Sequence, residues 1–230
     1  MKENLFSLRE EETFEALQDL KDCAFVVIGG YAVNAYTLPR FSVDCDIIIR
    51  DKGELRKIER LLMDRNYIQR KLSYNIRDSG WFLRYEKKLE NNFIVSMDIL
   101  IDHVKDRMTD VDFSAGWIFE NSGKKSLKGK TITKEIQLRI INIDALLVMK
   151  MIACRSTDIR DVFMMMPYAK DKEWIKKEVA KRYDPRERIQ RIIDKITSKQ
   201  FKDGLSGVYG YFDAKVFEKH RKAITMFLHD

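Results

Sequence analysis

The chain has few of the residues that fix a fold through covalent bonds or zinc. Its 230 residues include three cysteines, three prolines and three histidines, and Cys23, Cys45 and Cys154 lie far apart. An odd number of widely spaced cysteines provides neither a disulfide framework nor the ligand spacing of a zinc site. We therefore expect reduced thiols.

Long apolar runs are also missing. No stretch approaches the roughly 18 consecutive apolar residues of a membrane span, and the N-terminus lacks the basic-then-apolar order of a secretory signal. With 45% hydrophobic and 34% charged residues, the chain can still bury a real core. We expect a cytoplasmic protein of one domain, or two small ones, without a membrane partner.

Three common catalytic motifs are absent from the sequence. There is no Gly-x-Ser-x-Gly nucleophile turn, which removes support for a serine hydrolase. There is no Gly-x-x-x-x-Gly-Lys-Ser/Thr loop, so the sequence gives no support for an ordinary P-loop ATPase. The single glycine pair lacks the third glycine of a dinucleotide-binding turn, so it gives no support for dinucleotide binding either.

What the chain does have is a glycine pair followed by paired carboxylates. An apolar run ends at Gly29 and Gly30, which open a short helix, and a second β-branched run carries Asp44 and Asp46. Side chains at i and i+2 of a strand share a face roughly 7 Å apart, so both carboxylates can reach one divalent cation. A glycine pair at a helix start offers backbone N–H groups to a phosphate. Cys45 points to the opposite face, and we expect it in the core.

The first part of the chain, residues 1–141, predicts a mixed α+β fold. Helices are expected over 10–21, over 29–36 and after a capping box at Asp51, and strands over 24–28, 43–49, 67–72, 81–85, 93–101 and 136–141. Gly123 and Gly129 are expected at hairpin turns.

Residues 142–230 predict a C-terminal helical bundle. Asn142 can cap a helix over 143–154, a second helix is expected over 158–168, and Asp184 with Pro185 gives a start signal for a helix over 185–199. Gly204, Gly207 and Gly210 are expected to form a loop before a final helix capped by Asp213.

The pattern Gly29-Gly30, then Arg40-x-Ser42-x-Asp44-x-Asp46, resembles the signature of the polymerase-beta-like nucleotidyltransferase superfamily. It is similar in particular to abortive-infection type nucleotidyltransferase-like toxins and their minimal relatives. A downstream pattern is similar to the helical element of those proteins: Asp144, Lys150, Arg155, Asp158 and Asp161. Relatives often have a lysine before the Asp158 position, where this chain has Thr157, and Arg155 or Arg160 could supply that charge.

The resemblance implies a nucleotidyltransferase-like mixed sheet flanked by helices, and a role for each matched residue. Gly29 and Gly30, with Ser42, would hold the phosphates of a nucleoside triphosphate. Arg40 would contact a phosphate or fix the turn before the strand that carries Asp44 and Asp46. Lys150 would face the phosphates from the helical part.

The resemblance also implies a set of metal ligands. Asp44 and Asp46 would bind Mg²⁺, with two ions possible. Asp98 would be the third ligand and the base that activates the acceptor hydroxyl, with Asp102 as a weaker candidate. Oxygen ligands without histidine or cysteine suit magnesium.

The acceptor is not specified by the resemblance, and we expect tRNA first and a protein hydroxyl second. Residues 170–203 contain twelve Lys or Arg and seven Asp or Glu, which favours a face for RNA or, alternatively, an ordinary solvated surface. A catalytically silent, RNA- or protein-binding module of a toxin–antitoxin pair, with a cognate antitoxin or toxin as partner, is the competing hypothesis. For Asp161 and its helix, an ion-paired structural role is the alternative to nucleotide binding.

Overall fold

The computed structural model describes residues 2–70, 81–210 and 212–229. The described residues fall into two compact units. The first unit holds those up to 35 together with 39–104 and 113–141, and the second holds 36–38, 105–112 and those from 142 onward. Whether each unit is a separate functional domain, as the predicted division at residue 142 supposes, stays a prediction.

The first unit is built on a seven-stranded mixed sheet in the order β3-β4-β5-β2-β1-β9-β8. Its strands are β1 (Val26–Val27), β2 (Asp44–Ile49), β3 (Ile68–Gln69), β4 (Phe82–Lys88), β5 (Ile94–Ile101), β8 (Ser122–Leu127) and β9 (Ile136–Ile141). A two-stranded ribbon pairs β6 (His103–Lys105) with β7 (Asp112–Ser114). The predicted mixed α+β class is confirmed.

Four helices accompany this sheet: α1 (Lys2–Asp19), α2 (Gly29–Val33), α3 (Lys52–Asp64) and α4 (Ala115–Glu120). The capping residue of α3 is the predicted one, because the Asp51 carboxylate accepts hydrogen bonds from the backbone N–H groups of Gly53 and Glu54. Such a cap satisfies amide groups that have no partner inside the helix.

Strand β2 pairs in parallel with β5, and β5 pairs in antiparallel with β4. Because side chains alternate along a strand, each of these strands presents one apolar and one polar face. The apolar face contributes fully buried residues, namely Cys45, Ile47, Ile49, Tyr85, Met97 and Ile99. The predicted burial of Cys45 is confirmed, and the sheet keeps its carboxylates on the other face.

The second unit is helical from residue 142 onward. Its helices are α5 (Ile143–Ala153), α6 (Ser156–Met165), α7 (Lys172–Arg182), α8 (Arg186–Thr197), α9 (Lys199–Tyr209) and α10 (Ala214–His229), with a 3-10 turn over Met166–Tyr168. Two of the predicted caps are present: Asn142 accepts a hydrogen bond from the Ala145 amide, and Asp213 accepts from the amides of Lys215 and Val216. Helix α8 begins at Arg186 rather than at Pro185, which is in the capping position and makes no side-chain cap.

Two predictions from glycine were wrong. Gly204 and Gly207 lie inside α9, where Phe201 and Leu205 are buried one helical turn apart. The burial of these two side chains outweighs the low helix propensity of the glycines, and only Gly210 ends the helix. Gly123 lies within β8 rather than at a turn. Of the predicted strand over 67–72, residues 71 and 72 lie outside the described residues.

No helix of the described residues is long and apolar enough to cross a membrane.

The position of α9 can be tested with its glycines. Gly204→Ala and Gly207→Ala should each stabilise the protein by about 0.5–1 kcal/mol, because both positions are helical and a Cβ there meets no atom within 4 Å. Gly210→Ala is the matched control and should destabilise by about 1–3 kcal/mol, since Gly210 has φ +82°. Urea unfolding measures all three, and a loss of stability in both helical variants would contradict the assignment.

Candidate active site

The turn between β1 and α2 is pressed against β2. The backbone N–H of Ile28 donates to the carbonyl oxygen of Asp46 over 3.0 Å. Gly29 has φ +64°, and a Cβ placed on it would lie 2.0 Å from Oδ2 of Asp46. Only glycine fits this position, because both its backbone conformation and the space beside it exclude a side chain.

Gly30 is covered by the segment that leads into β2. A Cβ on Gly30 would lie 2.2 Å from Oγ of Ser42 and 3.3 Å from Nη2 of Arg40. The backbone N–H of Arg40 donates to Oδ1 of Asn34, and the Asn34 amide donates to the carbonyl oxygen of Arg40. This exchange fixes the backbone of the buried Arg40 against the end of α2. Its role at a phosphate, or at the turn before β2, stays a prediction.

The three predicted carboxylates occupy neighbouring positions on one face of the sheet. In the register of β2 and β5, Asp44 is opposite Ser96 and Asp46 is opposite Asp98. The Asp98 side chain is 6% exposed, whereas that of Asp44 is 33% exposed. Asp102, the weaker candidate, follows the end of β5 with φ +67°, which breaks the strand alternation at that point.

The sequence reasoning missed Arg84, a residue of β4 that faces Asp98. Its Nε donates to Oδ1 of Asp98 over 2.7 Å, and its Nη2 donates to Oδ2 over 2.6 Å. Nη2 also lies 3.3 Å from Oδ1 of Asp44, which accepts a hydrogen bond from Ser96 as well. The bonds to Asp98 raise the pKa of Arg84 above its ordinary value, so the guanidinium is charged at every relevant pH.

The acidic face of the sheet, which carries Asp44, Asp46 and Asp98, suits one hard cation held by two carboxylates better than one held by all three. Among the residues that the structure describes, no three His, Cys, Asp or Glu side chains form a group that could hold a metal ion. Asp44 and Asp46 nevertheless offer the oxygen ligands of magnesium, which is commonly held by one or two carboxylates plus substrate phosphates. These two residues fit a magnesium ion, and a third-ligand role for Asp98 stays a prediction.

Cys45 is not a nucleophile of this site. Burial raises the pKa of its thiol well above the ordinary value, and the charges of Asp46 and Asp98 raise it further. The group therefore stays protonated and unreactive.

Lys150, predicted to face nucleotide phosphates, lies in the second unit among carboxylates. Its Nζ donates to Oδ1 of Asp158 over 2.8 Å and lies 3.0 Å from Oδ2 of Asp161. Both aspartates are buried, and Arg155 and Arg160 add further contacts to them. These contacts match the ion-paired alternative raised for this helix, while a contact between Lys150 and a nucleotide stays a prediction.

The chain shares its fold with a crystal structure of a provisionally assigned nucleotidyltransferase from H. pylori, with a TM-score of 0.53 over 96% of this chain and 93% of that one at 12% sequence identity. Residues 14–223 match the family described as nucleotidyl transferase AbiEii toxin of type IV toxin–antitoxin systems. The chain belongs to the AbiEii nucleotidyltransferase family, which confirms the resemblance found in the sequence. No curated protein matches the chain.

Gly29 can be tested against a glycine without close neighbours. Gly29→Ala should destabilise the protein by about 1–3 kcal/mol, because it strains the backbone and forces the Asp46 carboxylate to move. Gly123→Ala, where a Cβ meets nothing within 4 Å, should change the free energy of unfolding little. Chemical denaturation compares the two, and equal effects would argue against the close packing of the turn.

Lys150 can be tested for its structural role. Lys150→Met should cost about 3–5 kcal/mol, because it leaves the buried Asp158 and Asp161 without their shared cation. Lys177→Met removes an exposed lysine of the same unit and should be nearly neutral. Thermal and urea unfolding measure both, and a neutral Lys150→Met would show that the ion pairs contribute nothing to stability.

Proposed function

We propose that this nucleotidyltransferase transfers a nucleoside monophosphate from a nucleoside triphosphate to a hydroxyl acceptor in a magnesium-dependent reaction. The observation that carries the proposal is the packing of Gly29 against Asp46, because it brings the turn that we propose to bind phosphate into contact with the strand that we propose to bind the metal. The acceptor oxygen forms a bond to the α-phosphorus, the bond to pyrophosphate breaks, and the hydroxyl proton is released to water.

Each side chain has a defined task in this proposal. The backbone N–H groups at the start of α2 bind the triphosphate, helped by the Ser42 hydroxyl, while Arg40 fixes the turn and adds positive charge beside it. Asp44 and Asp46 hold the magnesium ion. When bound, the ion neutralises phosphate charge that would otherwise oppose the attacking oxygen.

Two features of the second unit enter the proposal, namely Lys150 and the basic segment 170–203. Lys150 remains a proposed phosphate contact, in addition to its ion pairs. The basic segment 170–203 exposes most of its charge to solvent, through Lys170, Lys172, Lys177, Lys181, Arg186, Arg191, Lys199 and Lys202. Exposed basic residues on successive helices suit a phosphate backbone, so we propose tRNA as the first acceptor and a protein hydroxyl as the second.

The competing hypothesis of a catalytically silent module has less support. Asp46 stands beside Gly29, a position that tolerates no side chain, and a binding module has no need of that close contact. A cognate antitoxin is a proposed partner because the family is that of type IV toxins.

Label transfer tests the proposal. The full chain is incubated with each α-³²P-labelled nucleoside triphosphate, magnesium, and either total tRNA or protein lysate. Transfer and pyrophosphate release should fall at least about a hundredfold in Asp44→Asn and Asp46→Asn, because charge on the transferring group is then no longer neutralised. Asp64→Asn removes an exposed carboxylate of α3 and should retain full activity.

The acceptor is identified by whether the label is found in the tRNA or in the protein fraction. Label in tRNA supports the first acceptor, and label in protein supports the second. Transfer that is equal in the wild type and both aspartate variants, or transfer that persists in excess EDTA, would overturn the proposed reaction.

A further inference from the structure

Arg84, which the sequence analysis missed, changes the expected role of Asp98. This inference rests on the proposed function, since it concerns how charge is neutralised in the same reaction. Both oxygens of Asp98 accept hydrogen bonds from Arg84, at 2.7 and 2.6 Å, in the paired geometry that guanidinium and carboxylate groups favour.

The position of Arg84 conflicts with a second divalent ion. Asp98 and Asp44 would be the residues to hold such an ion, and Nη2 of Arg84 already lies 2.6 Å from the first and 3.3 Å from the second. Binding the ion would require breaking a hydrogen-bonded pair whose carboxylate is almost fully buried, and a buried pair that loses one partner is strongly destabilised.

The remaining surface of Arg84 is able to meet a substrate. Its side chain is 29% exposed, and its bonds to the two aspartates use only Nε and Nη2. No described residue is a hydrogen-bond partner of Nη1. A guanidinium that is fixed through Nε and Nη2, and whose Nη1 has no hydrogen-bond partner among the described residues, is suited to contact a phosphate oxygen.

We infer that Arg84 takes the place of a second divalent ion, so that the enzyme works with a single ion held by Asp44 and Asp46. Arg84 is then a catalytic residue that contacts the transferring phosphoryl group. Asp98 is a positioning residue that holds the guanidinium, rather than a metal ligand or a base. Ser96 orients Asp44 from the neighbouring strand.

Counting bound ions tests this inference without measuring activity. The full chain is saturated with a non-hydrolysable nucleoside triphosphate, and bound Mn²⁺ is counted by electron paramagnetic resonance and by calorimetry. Wild type should bind one ion per chain, and Asp46→Asn should bind none. Arg84→Met should bind two, because the guanidinium no longer competes with an ion for Asp98 and Asp44. Arg84→Lys keeps the positive charge and should bind one.

Two further variants identify the second ion's ligands and the specificity of the effect. In Arg84→Met with Asp98→Asn, the second ion should bind at least about tenfold more weakly than in Arg84→Met. Arg70→Met removes an arginine that pairs with Glu86 at the sheet edge, and it should leave the count at one.

The outcomes separate the inference from the proposed function. Two ions in wild type would overturn the inference and leave the reaction standing, as would one ion in a folded Arg84→Met. No ion in wild type, with or without nucleotide, would overturn both. If Arg84→Met does not fold, the counts for wild type and Arg84→Lys still decide, since a count of two in either contradicts the inference.

Discussion

The close contact between Gly29 and the Asp46 carboxylate is the constraint on which the rest of the site depends. The glycine turn begins α2, and the backbone N–H of Ile28 in the same turn donates to the carbonyl oxygen of Asp46, so strand β2 and the helix start are joined at one point. Because no side chain fits between them, the amides proposed to bind phosphate lie next to the carboxylate of Asp46, which is proposed to bind metal. Ser42 repeats this arrangement one position along, over Gly30.

The second organising interaction is electrostatic. Burying several carboxylates against a sheet has a high free-energy cost, because each charge that leaves water must be compensated by a nearby partner. In this chain Arg84 provides that compensation for Asp98 and part of that for Asp44. In the second unit Lys150 does the same for Asp158 and Asp161. In each unit, one basic residue is thus shared by two carboxylates.

The sequence was sufficient for features that depend on local spacing. The period-two spacing of Asp44 and Asp46, the apolar run around Asp98, and the caps at Asp51, Asn142 and Asp213 are each readable within a few residues. Arg84 was not readable, because its meeting with Asp98 depends on the register of two strands, and nothing local to β4 sets that register. Helix α7 was not predicted, and α9 was misread as a loop, since glycine propensity counted for more in the sequence than the burial of Phe201 and Leu205.

The parallel pairing of β2 with β5 has a consequence for how the enzyme comes into being. The two strands are separated in the chain by α3, β3 and β4, so the acidic face cannot form from any short contiguous stretch. Contacts between distant parts of a sequence form slowly, because the entropy of closing a long loop must be overcome first. A growing polypeptide that ends before Ile94 has no Asp98 to pair with Arg84, and its glycine turn lies beside an incomplete sheet. In a protein of a toxin family, this order means that the set of Asp44, Asp46, Asp98 and Arg84 is complete only after β5 has been synthesised.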